Sequence, residues 1–151
     1  MNLVLLFSFI FEGIISNFVC VSKPLFTLTA LVIAYPYYNS SKEYFKMCVF
    51  FGILYDIVYT DTLFINGILF LGVGLITKKL NYYLVNNLFN SSIILIINII
   101  FYRLCIYFIL LLSKNSFLNL FSSIYLSVLI NLIFLYILYF IITNIRKRIK
   151  N

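Results

Sequence analysis

The chain has 151 residues, of which 64% are hydrophobic and only 10% are charged, against about 25% charged in an ordinary soluble domain. A soluble domain of this length has too little interior to bury that much apolar surface, so the composition excludes this class and predicts an integral membrane protein. The net charge of +7 does not indicate nucleic acid binding. A cluster of cations lies just beyond the last apolar run, the usual place of a cytoplasmic anchor facing anionic lipid: Arg146, Lys147, Arg148 and Lys150.

The apolar runs are continuous, as in Ile93–Ile97, and do not alternate as the strands of a membrane barrel do. Helices satisfy their own backbone hydrogen bonds in lipid, and each span needs about 20 residues. We therefore predict an all-α integral membrane protein: a single transmembrane domain over residues 1–151, with about six transmembrane helices in one bundle. The predicted helices cover about 3–22, 25–38, 44–59, 63–77, 84–112 and 117–143.

Individual residues within and between these runs refine the prediction for each helix. Residues 1–22 lack a basic n-region and carry Glu12, so we expect a retained helix and not a cleaved signal peptide. The second run follows Lys23–Pro24 and contains Pro36, so it is either kinked or only partly spanning. The third and fourth runs are short for a bilayer. Polar or charged residues separate the later runs: Asn39–Glu43, Thr60–Thr62, Lys78–Lys79 and Lys114–Ser116.

The placement of lysine and arginine predicts the orientation of the bundle. With six spans and both termini in the cytoplasm, eight cations lie on the inner side and two on the outer side. The inverted orientation reverses that ratio, and five spans would spoil it. We therefore predict a multi-pass protein with its N- and C-termini inside. The inner-loop cations are Lys42, Lys46, Lys78 and Lys79, and the outer ones are Lys23 and Lys114.

Three charged residues fall inside apolar runs, namely Glu12, Asp56 and Arg103. A charge at the centre of a bilayer costs about 2.5 to 3.5 kcal/mol on insertion scales, so such groups face the bundle interior and seek partners. We hypothesise that Arg103 pairs with Asp56 or Glu12, and the sequence does not choose between the two acids. The alternatives are that Arg103 extends to an interface, or that Asp56 is protonated.

Small residues mark one face on each of three predicted helices. Gly52 shares a face of helix three with Asp56, and Gly67 shares a face of helix four with Gly74. Small residues let helices approach closely, so these faces serve either internal packing or a groove for the helix of a partner. Ala30 and Ala34 form a similar pair on helix two. On helix one a polar stripe, which packs inward or lines a pore, contains Ser8, Glu12 and Ser16.

No catalytic constellation is present in the sequence. The chain has no histidine and four carboxylates, so the common general base is missing and little is left for acid–base chemistry or metal binding. Each cysteine lies inside or at the end of an apolar run, and no C-x-x-C occurs. We expect buried free thiols. We predict no enzyme, no cofactor and no metal. The cysteines are Cys20, Cys48 and Cys105.

Residues 52–74, GILYDIVYTDTLFINGILFLGVG, resemble the centre of the MreD family of rod shape-determining membrane proteins. That family typically shows a glycine, apolar residues, an aspartate and a short polar break. An apolar helix then opens with a small or polar pair and ends in a glycine before basic residues. The positions that fit here are Gly52, Asp56, Asn66 and Gly72, with Lys78–Lys79 as the basic end. Lys23–Pro24 and Asn131 resemble further family features, whereas Arg103 stands where the family often has glutamate.

The resemblance implies a non-catalytic scaffold subunit of the bacterial cell-elongation complex, or elongasome. It would lie in the inner (cell) membrane and support lateral peptidoglycan synthesis and the regulation of cell shape. The first partner that the resemblance implies is an MreC-like protein with a single transmembrane helix, followed by RodA and its transpeptidase, with the MreB filament indirectly. The implied fold resembles the substrate-binding subunits of energy-coupling-factor transporters. This likeness supplies the alternative function, a small-molecule-binding transporter subunit.

Overall fold

A computed structural model describes residues 1–16, 24–60, 64–112 and 120–150. Within these ranges the regular structure is helical, and the elements follow one another along the chain with short connections. A 3₁₀ turn, Tyr35–Tyr37, follows α2 directly and contains Pro36. The helices are α1 (Asn2–Ser16), α2 (Phe26–Ala34), α3 (Ser41–Tyr59), α4 (Ile65–Tyr83), α5 (Leu88–Leu112) and α6 (Leu120–Lys150).

Several predicted boundaries were wrong. The fourth helix does not end at Lys78–Lys79 but continues to Tyr83, because lysine is a good helix former. Leu84 then turns to extended backbone, so α5 begins at Leu88 instead of 84. The third helix starts earlier than 44, at Ser41, because the Ser40 hydroxyl accepts a hydrogen bond from the Glu43 backbone N–H. The sixth helix runs beyond 143, to Lys150.

The second helix is the buried centre of the fold. All nine residues of α2 are buried, and α2 packs against α1, α4, α5 and α6. Nine residues rise only about 14 Å, about half of the ~30 Å hydrocarbon thickness of a bilayer. Helix two is therefore short for a transmembrane span, and the other helices enclose it.

Consecutive helices run antiparallel, as their short connections favour. Contacts pair residues on either side of each connection: Gly52 lies against Gly67 between α3 and α4, and Thr77 bonds Asn98 between α4 and α5. The ends of α1, α3 and α5 and the starts of α2, α4 and α6 therefore lie at one end of the bundle. The other end carries the connections α2–α3 and α4–α5.

Two of the described helices are long and apolar enough to cross a membrane: Leu88–Leu112 and the segment Ile124–Ile145 of α6. Both turn large apolar side chains outward, such as Phe108 on α5 and Phe140 on α6. A water-facing surface of this kind would be unfavourable, whereas lipid accepts it. The outward faces of the long helices therefore suit a lipid environment.

Candidate functional site

Glu12 closes the start of the central helix. Its side chain is only 1% exposed, and its carboxylate accepts hydrogen bonds from the Thr27 backbone N–H at 2.8 Å and the Thr27 hydroxyl at 2.7 Å. The Tyr55 hydroxyl of α3 donates a third bond at 2.9 Å. The first turn of α2 has no side-chain cap of its own, since Leu25 stands at the N-cap position. The carboxylate of Glu12, on another helix, therefore accepts a hydrogen bond from a backbone N–H group of α2 that would otherwise lack an acceptor. Its negative charge also interacts favourably with the positive end of the α2 dipole.

Asn131 of α6 supports the same turn from the opposite side. Its side-chain oxygen accepts hydrogen bonds from the Leu25 backbone N–H and the Thr29 hydroxyl, each at 3.1 Å. Its amide nitrogen donates to the Ser127 carbonyl oxygen at 2.7 Å. The buried Asn131, which the sequence marked as a site residue, thus joins α6 to the start of α2.

Asp56 performs for α4 what Glu12 performs for α2. Its carboxylate accepts hydrogen bonds from the backbone N–H groups of Asn66, at 3.0 Å, and Gly67, at 3.2 Å. The Asn66 side-chain amide donates a further bond at 2.8 Å. The helix again lacks a cap of its own, because Phe64 stands at the N-cap position. Phe64 adopts the left-handed backbone conformation at φ 63°, which is strained for a bulky residue.

Arg103 links the third helix pair. Its guanidinium donates a hydrogen bond to the Ser127 hydroxyl of α6 at 3.1 Å. The two acids that the sequence left open each accept a backbone N–H group at the start of a neighbouring helix, Glu12 from Thr27 and Asp56 from Asn66. The direct ion pair stays a prediction.

The three charges predicted to lie within the membrane share one arrangement. Each lies on the first helix of a consecutive pair and forms a hydrogen bond with a residue in the first third of the second. We call the end of the bundle where these bonds lie the anchored end. The bonded pairs are Glu12 with Thr27, Asp56 with Asn66, and Arg103 with Ser127.

The opposite end, which we call the lysine end, carries Lys42, Lys46, Lys78 and Lys79, all of them exposed. These are the four inner-loop cations of the predicted topology. The buried polar bonds in this half join neutral groups, such as that between Asn98 and Thr77. Among the described residues, the charges of the two ends are therefore used differently: Glu12 and Asp56 are buried and anchor helices at one end, and the four lysines are exposed at the other.

The glycines predicted as a packing or partner face lie against neighbouring helices of the same chain. A Cβ added to Gly52 would come within 2.6 Å of the Asn66 carbonyl oxygen and of the Gly67 Cα. Gly74 faces Cys48 of α3, and Gly72 faces Phe101 of α5. The geometry therefore fits internal packing. Ala30 and Ala34 are likewise fully buried within the bundle.

Sequence reasoning missed the partners of the charges. Thr27, Tyr55, Tyr102 and Ser127 were not singled out as site residues, although the Tyr102 hydroxyl donates to the Asn66 side chain at 2.7 Å. A signal existed for the two tyrosines, because each directly precedes a charged residue within an apolar helix. Several sequence-marked residues lie outside the described part of the chain: Cys20, Lys23, Asp61, Lys114 and the side chains of Arg146, Lys147, Arg148 and Lys150.

A model of the family described as rod shape-determining protein MreD matches residues 1–149 of the chain. The chain belongs to the MreD family. No curated protein and no solved structure matches it. The match extends over all six helices, and so confirms the family resemblance seen at residues 52–74. MreD proteins are membrane proteins that determine rod shape, which agrees with the outward apolar faces of α5 and α6.

The polar groups of the anchored end bond to other parts of the fold. Its two described carboxylates, Glu12 and Asp56, accept backbone N–H groups. Within the described ranges, no group of three histidine, cysteine, aspartate or glutamate side chains could hold a metal ion. What this arrangement does is hold α2, α4 and α6 in place against α1, α3 and α5.

Proposed function

We propose that this MreD-family chain is a non-catalytic scaffold of the bacterial cell-elongation complex that binds an MreC-like single-span protein and supports lateral peptidoglycan synthesis. Family membership gives it a role in rod shape determination. The finer assignment depends on one observation: the buried carboxylates are used in capping helices, so the polar interior serves to hold a bundle together. A partner protein would then bind the helix faces that point away from the bundle.

The proposed placement is the inner membrane, with six crossings and both termini inside. It is supported by the four exposed lysines, which gather at the lysine end of the bundle. Basic residues concentrate on the cytoplasmic side of membrane proteins. The anchored end then faces the side of the membrane opposite the cytoplasm.

The outward faces of α5 and α6 offer the partner an extended apolar surface. Ile133, Ile137 and Phe140 on α6 are each more than half exposed. The single membrane helix of an MreC-like protein would pack here by van der Waals contact, which drives association in lipid. The glycine face predicted as an alternative groove is filled by the chain itself.

The alternative is a small-molecule-binding subunit of an energy-coupling-factor-type transporter. Such subunits usually present an alanine pair for docking, and the only such pair here, Ala30 and Ala34, is fully buried. Docking through it would require the bundle to open. The scaffold therefore has the better support.

Co-purification from native membranes tests the proposal. The chain would carry a C-terminal tag, be solubilised gently, and have its bound proteins identified by mass spectrometry. We expect an MreC-like protein, together with RodA or its transpeptidase. Recovery of paired ATPases with a coupling membrane subunit would refute the scaffold and establish the transporter.

A paired control separates partner binding from folding. Ile137→Asn places a polar group on the proposed partner face, and Ile57→Asn does the same on the exposed face of α3, where Ile57 is 71% exposed. At equal recovery of the tagged chain, we expect only the first to lose the MreC-like protein. Equal loss from both variants would contradict the proposed surface on α6.

A further inference from the structure

A groove of about 620 Å³ runs along the surface between α3 and α4. Lys42 and Lys46 lie at one end of it, at the lysine end of the bundle. The rest of the lining is apolar and comes mainly from α3. We call this the α3/α4 groove; its apolar lining residues are Phe45, Val49, Phe50, Ile53 and Leu71.

The order of residues along the groove matches the order of groups in a phospholipid. On α3 the two lysines are four residues apart, and Val49, Phe50 and Ile53 follow on the same face at helical spacing. Cationic groups therefore come first and an apolar floor continues below them. Lys78 of α4 lies 5.6 Å from the centre of the Phe45 ring and brings a third cation to the charged end. Glu43, the nearby carboxylate, does not line the groove.

The length of the groove favours a lipid over a helix. From Lys42 to Ile53 the α3 backbone rises about 17 Å, which is close to one leaflet of a hydrocarbon core about 30 Å thick. A spanning helix of a partner would need a surface about twice as long. A single phospholipid occupies one leaflet, with its phosphate at the interface and its acyl chain within the apolar layer.

We propose that the α3/α4 groove binds one anionic phospholipid, with its phosphate at Lys42 and Lys46 and an acyl chain along Val49, Phe50 and Ile53. Basic pockets beside membrane helices on the cytoplasmic side recognise such headgroups. The proposal depends on the proposed membrane placement of α3 and α4, but not on the MreC-like partner.

Native mass spectrometry of the delipidated full chain tests this site. Phosphatidylglycerol and the zwitterionic phosphatidylcholine would be titrated separately, and the dissociation constant of the first bound lipid compared. We expect tighter binding of phosphatidylglycerol. Lys46→Gln should weaken it about fivefold, the effect of about one unit charge near a lipid surface. Lys79→Gln removes an equal charge at the same end but outside the groove, and should change it less than twofold.

A second pair of variants tests the acyl-chain part while the lysines stay intact. Val49→Trp fills the apolar floor and should reduce phosphatidylglycerol binding, whereas Val58→Trp, on an exposed position of α3 outside the groove, should not. Equal binding of the two lipids, or equal effects of the two lysine variants, would overturn the proposal. So would full binding by Val49→Trp. Failure here leaves co-purification of the partner unaffected, so the two proposals can fail separately.

Discussion

At the anchored end of the bundle two helix pairs are joined through a buried carboxylate and the third through the half-buried Arg103, whereas the lysines of the lysine end lie on the surface. Glu12 and Asp56 are at most 3% exposed, and each accepts backbone hydrogen bonds from the first turn of a neighbouring helix. Lys46 and Lys79 are exposed and border grooves. The charged residues of the two ends thus serve different purposes: the buried carboxylates stabilise the fold, and the exposed lysines are available for binding.

The comparison also explains how α2 and α4 are stable without an N-cap side chain of their own. Leu25 and Phe64 occupy the N-cap positions, where neither side chain can accept a hydrogen bond. In lipid an orphan N–H group is costly, because water is absent. Carboxylates from α1 and α3 take the place of local caps, which makes each capped helix dependent on its neighbour.

The largest effect should come from removing the anchor of α4. Asp56→Ala leaves the N–H groups of Asn66 and Gly67 buried without an acceptor, and should lower the free energy of unfolding in detergent by about 3 kcal/mol. Glu43→Ala removes an exposed carboxylate and serves as the control, with a loss of about 0.5 kcal/mol. Similar losses from the two variants would show that Asp56 anchors nothing.

Gly52 should be the next most sensitive position. The Cβ of Gly52→Ala would meet backbone atoms of α4 at 2.6 Å, so α3 and α4 must separate, at a cost of about 2 kcal/mol. In Gly67→Ala the nearest atom is the Ile53 Cγ1 at 3.3 Å, a side chain that can shift, and we expect less than about 1 kcal/mol. Thermal unfolding in the same detergent compares them. Internal packing would be refuted if Gly67→Ala cost the same or more.

A smaller effect distinguishes the two acids as electrostatic partners of Arg103. In a double-mutant cycle, Glu12→Gln and Arg103→Gln should show a coupling energy of about 1 kcal/mol. Asp56→Asn with Arg103→Gln is the matched cycle for the second acid, and we expect a smaller coupling energy there. The reverse order of coupling energies would assign the pair to Asp56 instead.

The smallest effect on folding is expected at the lysine end. Lys42→Gln combined with Lys46→Gln should change the free energy of unfolding by less than about 0.5 kcal/mol, because both side chains are exposed. The unfolding midpoint in detergent measures this. A loss of unfolding free energy as large as that of Asp56→Ala would show that the lysines stabilise the fold as much as the buried carboxylates do.

Much of the fold could be predicted because lipid imposes simple rules. Long apolar runs gave six helices, and the cost of an intramembrane charge placed Glu12, Asp56 and Arg103 in the interior. The ends of helices were less predictable. Lys78–Lys79 read as a stop signal, yet the helix continues to Tyr83, since lysine at an interface costs a helix nothing.

The partners of the charges could not be predicted, because the bonds cross between helices. Glu12 bonds Thr27 and Tyr55, which are 15 and 43 residues away. No spacing rule connects such positions, and only the packing of α1, α2 and α3 brings them together. Pairing opposite charges was the natural hypothesis. The structure shows instead that acids in a helix bundle also find partners in the uncapped starts of neighbouring helices.

Hydrogen exchange at the start of α4 tests the anchoring account most directly. The backbone amides of Asn66 and Gly67 would be followed by NMR in detergent, in the unaltered chain and in Asp56→Ala, with the Thr27 amide, which bonds Glu12, as the internal reference. The account predicts that exchange accelerates at Asn66 and Gly67 while Thr27 stays protected. Unchanged protection at Asn66 and Gly67 would contradict it.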